Sequence, residues 1–121
     1  LSSFTDDLVV KYHPQTDKWI IQRSFDYHVG KYPSYVVIKI PKGFSTDLAS
    51  VPRGFRWIIP KSGKYNQAAV LHDYMCVNFY KTHQIRCEIF MESMGVLKVP
   101  AIKKQLMYWA VRLGGPRNPR Q

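Results

Sequence analysis

Acidic side chains are scarce in this chain: 8 Asp and Glu stand against 18 Lys and Arg, a formal charge of +10 over 121 residues. Cysteine is scarcer still, with two residues, which excludes the bridge-rich scaffolds of small secreted domains. Both thiols sit among apolar neighbours in predicted helices, where reduced, buried cysteine is common, and a reducing cytoplasm is the simplest expectation. No apolar run nears the roughly 20 residues that cross a bilayer. The first residues show no basic-then-apolar leader, so a soluble protein without signal peptide or membrane span is expected. The seven glycines form no phosphate-cradling pattern, and no serine lies in a Gly-x-Ser-x-Gly elbow, which argues against a serine nucleophile and a nucleotide loop. Internal repeats and low-complexity blocks are also lacking.

What is present suffices for a fold. Hydrophobic residues make up 45% and aromatics 14%, enough to repay the entropy of ordering one core and too short a chain for two. We expect one domain over residues 1–115 and a basic tail over 116–121. Charge is uneven: residues 1–30 carry four acids and three bases, whereas residues 51–121 carry twelve bases and three acids. Such a field suits nucleic acid, anionic lipid or an acidic protein surface; the plainer reading is a solvated surface that maintains solubility.

The periodicity divides the chain in two. Leu8 to Tyr12, Lys18 to Gln22 and Tyr35 to Ile40 are β-branched and aromatic runs separated by turn-prone residues, which predicts an antiparallel β-meander. From Pro41 to Gly63, three prolines and three glycines punctuate a long ordered connector, with a short helix about Arg53 to Ile59. Helical spacing follows. Tyr65, Ala68, Ala69, His72, Cys76 and Phe79 share a face over Lys64 to Tyr80. A second helix over Ile85 to Met94 groups Cys87, Phe90, Met91 and Met94, with Gly95 suiting its end. A third, over Pro100 to Leu113, carries the apolar stripe Ile102, Leu106, Trp109 and Leu113, and Gly114-Gly115-Pro116 stops it. The expected class is α+β, with a C-terminal three-helix subdomain.

His72 is the first candidate for chemistry. An imidazole aimed into a core needs a partner, because an unpaired buried polar group costs about 1–3 kcal/mol. Asp47, in the connector segment Phe44-Ser45-Thr46-Asp47-Leu48-Ala49-Ser50, is the expected supplier, and Asp73 adjoins the ring. A carboxylate oriented on histidine sets up a general base or fixes a metal ligand. The same three residues equally suit a structural network, with Asp47 or Ser50 capping a turn. His72, Cys76, His83 and Cys87 form two pairs at i, i+4, and two imidazoles plus two thiolates suit zinc or another divalent metal if the helices converge. Both cysteines also fit ordinary core positions. Arg53, Arg56, Trp57, Lys61 and Lys64 interleave bases with aromatic neighbours as a single-strand nucleic-acid surface does, or as bases that snorkel beside core rings do.

The string from Phe44 to Arg53, then Trp57, then Gly63-Lys64-Tyr65-Asn66-Gln67-Ala68-Ala69-Val70-Leu71-His72-Asp73-Tyr74 resembles a family of small phage and prophage proteins catalogued as domain of unknown function 1353. Arg86, Phe90, Met94, Gly95-Val96, Ala110-Val111-Arg112 and Gly114 look like its C-terminal pattern. The resemblance implies a viral origin and a shared Asp/His-Asp centre. It also implies an acid at the position of Cys87 and an aromatic near Cys76, so this member departs from the pattern where a catalytic or metal set would be completed. The leading expectation is a virion component of tail or neck, in the virion or the host cytoplasm, that holds other virion proteins or acidic surfaces within an oligomeric assembly. Its rivals are a small hydrolase, with or without metal assistance, using Asp47, His72 and Asp73, and a host-directed accessory protein that binds nucleic acid or a defence factor.

Overall fold

Alternation of buried and exposed side chains organises the N-terminal half of the computed structural model, which describes residues 3–16, 18–30, 37–46, 66–78 and 80–114. Six short strands form: β1 (Ser3–Phe4), β2 (Val10–His13), β3 (Lys18–Ile21), β4 (Phe25–His28), β5 (Val37–Ile40) and β6 (Ser45–Thr46). They pair antiparallel as two three-stranded sheets, β1-β4-β5 and β2-β3-β6. The β2–β3 hairpin sets Tyr12 opposite Trp19, with ring centroids 5.0 Å apart, a cross-strand aromatic pair of the kind that stabilises sheets. In β4 and β5, Phe25, Tyr27, Ile38 and Ile40 are buried while Lys39 is exposed, the period-two pattern of a sheet with one face on the core.

The chain leaves β5 through Pro41-Lys42-Gly43-Phe44. Phe44 N–H donates to the Pro41 carbonyl at 3.2 Å and Gly43 has φ +93°, the left-handed third position of a type II turn, which suits a residue without a Cβ. Ile21 then receives both sides of this turn: its N–H donates to Phe44 O at 2.9 Å and its carbonyl accepts from Gly43 N–H at 2.8 Å. The turn thereby carries the chain from one sheet to the other. The rest of the expected connector, residues 47–63, lies outside the described residues, as do the expected helix at 53–59 and the tail.

Three helices follow: α1 (Asn66–Val77), α2 (His83–Val96) and α3 (Ala101–Gly114). Helix α1 is buried on nearly all sides from Gln67 to His72, with Met75 and Cys76 also buried, rather than on one face alone. Val70, Leu71 and Met75 pack with Ile21, Phe25, Tyr27, Ile38 and Ile40 from the strands, and with Ile89. Ala68 and Ala69 pack with Cys87, Phe90, Met94, Met107, Ala110 and Val111 from α2 and α3. A helix apolar all round is a central helix, and α1 is the layer between strands and helices.

Helix ends explain the boundaries. Thr82 caps α2, its hydroxyl accepting from Ile85 N–H at 3.2 Å, so the helix begins at His83, two residues before the position expected from its apolar spacing. At its other end, Lys98 N–H donates to Gly95 O at 3.1 Å and Val99 N–H to Met94 O at 3.0 Å, while Lys98 has φ +61°. This is a Schellman termination with lysine in the left-handed position; Gly95, expected to end the helix, instead lies inside it. Buried Val99 and Met94 share a cluster, the apolar contact that accompanies this motif.

The third helix turns its apolar stripe outward. Met107, Ala110 and Val111 face the core, while Ile102, Leu106, Trp109 and Leu113 are 75%, 38%, 54% and 72% exposed.

Candidate functional site

His72 projects from α1 into the interior, as its place on the helix predicts, and its ring is fully buried. Cys76, one turn further, brings Sγ to 3.6 Å from Nε2 and 3.9 Å from Nδ1. The Phe90 ring of α2 lies 4.8 Å away between centroids, tilted by 37°. Among the described residues a thiol and an aromatic face thus meet the imidazole, and a thiol is a weak hydrogen-bond partner.

The electrostatics follow from this burial. Loss of solvation disfavours the imidazolium, and the Arg86 charge and then His83 act in the same direction, so the His72 pKa falls from 6.5 to about 3. The ring is neutral at pH 7, and a group whose conjugate acid is this strong is a poor proton acceptor for catalysis. Cys76 is pushed upward, chiefly by burial, with the Asp73 charge adding to the rise and Arg86 opposing it by charge and hydrogen bonding. It remains a thiol at neutral pH rather than the thiolate that nucleophilic or metal chemistry needs. Asp73 is half-buried.

Arg86 is the residue that sequence reasoning left outside the centre. It is the largest fully buried side chain among the described residues, and its Nη1 donates to Tyr80 O and to Lys81 O, each at 3.2 Å. A guanidinium stays charged in proteins, so the cation clamps the α1–α2 loop carbonyls while biasing His72 and Cys76. The signal was in the spacing: His83, Arg86, Cys87, Phe90 and Met94 recur at three and four along α2 and are all buried.

The expected metal tetrad does not gather. Among the described residues no three His, Cys, Asp or Glu side chains group as ligands for an ion. Each histidine instead meets the cysteine of its own helix. His83 Nε2 lies 3.8 Å from Cys87 Sγ, yet the same nitrogen is 2.9 Å from the Arg112 carbonyl. A carbonyl only accepts, so this nitrogen carries hydrogen and presents no lone pair to an ion.

Asp47, and with it the expected carboxylate contact to His72, lies outside the described residues. So do Arg53, Arg56, Trp57, Lys61 and Lys64, the expected basic and aromatic surface. Thr46, the residue before Asp47, is fully buried where β6 pairs with Trp19.

A cleft of about 400 Å³ opens elsewhere, lined by Val29, Tyr80, Lys81, Ile85, Glu88, Ile89 and Glu92. None of His72, Asp73 and Cys76 contributes to it. Glu92, at its edge, accepts on Oε1 from the Tyr27 hydroxyl and from Gly30 N–H at 2.9 Å, which commits that oxygen to joining α2 with the end of β4. No helix among the described residues is long and apolar enough to cross a membrane.

Comparison with known proteins places the chain. It is 39% identical over 79 residues to the uncharacterized protein y4jT of Sinorhizobium fredii (strain NBRC 101917 / NGR234), a match covering 64% of this chain and 24% of that protein. The chain therefore spans about a quarter of that relative's length. No solved structure matches it. Residues 19–111 match the family described as Protein of unknown function (DUF1353), a span that includes most of β3, β4 to β6, all of α1 and α2 and most of α3, and the chain belongs to that family.

Proposed function

We propose that this protein is a non-enzymatic component encoded by a bacteriophage or prophage, acting by holding neighbouring proteins, with the virion tail or neck as its place. The observation that carries the non-enzymatic part is the state of His72: fully buried, neutral at pH 7, and flanked by a thiol and a phenyl ring. A hydrolase needs a base that reaches substrate and water, and this imidazole is placed to pack. The phage part rests on the resemblance carried by the Phe44–Arg53 and Gly63–Tyr74 strings. The net charge of +10 favours acidic neighbours, by attraction that speeds encounter.

Particle fractionation tests this reading. Phage particles raised from the source host and banded by density should carry the protein at a fixed copy number per particle. Recovery solely in the particle-free lysate would refute the virion assignment. A steep fall in DNA or RNA binding with salt, with no particle association, would move the protein to the accessory class.

A further inference from the structure

Helix α3 runs about 21 Å at 1.5 Å per residue and presents two apolar faces to two different surroundings. The inner face, Met107, Ala110 and Val111, closes the helical core. The outer face, Ile102, Leu106, Trp109 and Leu113, repeats at four, three and four residues, and three of its four side chains are more than half exposed. That repeat is the seam spacing of paired helices, and contiguous exposed apolar surface of this kind marks interaction sites. The Trp109 ring lies 5.5 Å from Tyr108 at 80° between planes. A tryptophan near the centre of a patch is the usual anchor of an interface.

The flanks specify what can lie there. At about 100° per residue, Lys103 falls on one side of the seam and Arg112, with Gln105, on the other. No Asp or Glu occurs anywhere in α3. A second copy would set these bases against bases, and positions flanking a helical seam select partners by charge. The following residues, Gly115 to Gln121, bring two further arginines and no large apolar side chain, so they are chemically unsuited to fill the seam.

We propose that the outer stripe of α3 is a docking seam for an amphipathic helix of another protein whose flanks are acidic. The inference rests on the reading of this protein as an interaction component and names the partner's chemistry. The partner lays leucine-sized side chains between Leu106 and Leu113 around Trp109, and its carboxylates face Lys103 and Arg112.

The test uses three synthetic 21-residue helical peptides with the full chain: leucines at alternating three and four spacing with glutamate flanks, the same seam with lysine flanks, and the glutamate peptide with its leucines replaced by serine. Fluorescence anisotropy in low salt should give the first peptide an affinity at least tenfold above either of the others. Leu106→Glu with Trp109→Ser should lower its affinity at least tenfold without changing the circular dichroism spectrum, and Leu113→Ser alone should lower it severalfold if the double variant fails to fold. Val77→Ser, at an exposed apolar site on α1, should leave it unchanged. Equal binding of acidic and basic peptides, or binding indifferent to the seam variants, would overturn the proposal. So would a sedimenting dimer that Leu106→Glu dissociates, since the occupant would then be a second copy. Particle association that survives loss of the seam removes this inference and leaves the component reading intact.

Discussion

Acidification should destabilise this protein through one buried ring. His72 has a pKa of about 3 in the folded chain against 6.5 without burial, so between these values the unfolded chain binds a proton that the folded chain refuses. Stability from this group is complete above pH 6.5 and is lost progressively as pH falls toward 3. At 1.36 kcal/mol per pKa unit, the loss is about 2 kcal/mol at pH 5 and about 4 kcal/mol at pH 3. The ring is fully buried, so solvent screening takes little from these figures. Against a typical domain stability of about 5–15 kcal/mol, this is a substantial fraction of what holds the fold together.

Urea unfolding at fixed pH steps from 7.5 to 4 measures the effect, with His72→Gln as the non-titrating reference. The difference between the two stability curves isolates position 72 from the carboxylates, which titrate in both proteins. It should shrink by about 2 kcal/mol between pH 7 and pH 5. Carbon-detected histidine titration of the wild type gives a second measure: one of the four imidazoles should keep its neutral shift down to pH 4. Parallel stability curves, or four rings that all titrate above pH 5, would refute the account of His72 as a buried neutral group.

Three further outcomes follow from the helix ends and the sheet edge. Lys98→Gly should raise stability by about 0.5–1 kcal/mol in urea unfolding, because glycine occupies the left-handed position without a Cβ penalty. Thr82→Ala should lower it by about 1 kcal/mol through loss of the α2 cap, with Thr82→Asp restoring most of it. Glu92→Ala should cost about 2 kcal/mol, since it deletes the acceptor shared by Tyr27 and Gly30, and amide exchange at Gly30 should quicken.

The helices were legible because their apolar residues recur at three and four, a period that survives errors of two residues at either end. Strand β4 was not: Phe25 and Tyr27 are buried, but Asp26 stands between them and His28 follows, so no continuous apolar run announces the strand, and a meander of three becomes two sheets. The face of α3 was misleading for a packing reason. The core that the three helices share holds Ala110, Ala68 and Ala69 as well as larger residues, because closely packed helices need small side chains. Ranking residues by bulk therefore selects the outer stripe. At the candidate site, the inward turn of His72 was readable from its place among apolar residues. Arg86 was not, since a charged side chain on a helix is ordinarily taken for surface, and only its register with His83, Phe90 and Met94 speaks for burial.

The buried polar groups share a pattern that bears on what this fold can do. Gln67 Nε2 donates to Asp6 O at 2.8 Å, tying the start of α1 to the segment after β1. His83 bonds the Arg112 carbonyl and so joins the start of α2 to the end of α3, while Arg86 holds the loop between α1 and α2. The Gln67 and His83 bonds link separate segments and the Arg86 bonds tie α2 to the loop before it, and each fixes an arrangement that apolar packing alone leaves degenerate, because apolar contacts tolerate sliding and a satisfied hydrogen bond does not. Read this way, His72 belongs to the same group of interior residues: a neutral ring that fills the space between α1 and α2 and meets a thiol. Polar side chains committed to holding helices in register are withdrawn from substrate. On the proposed reading recognition falls to the outside of the molecule, and among the described residues α3 presents there an apolar stripe with bases beside it.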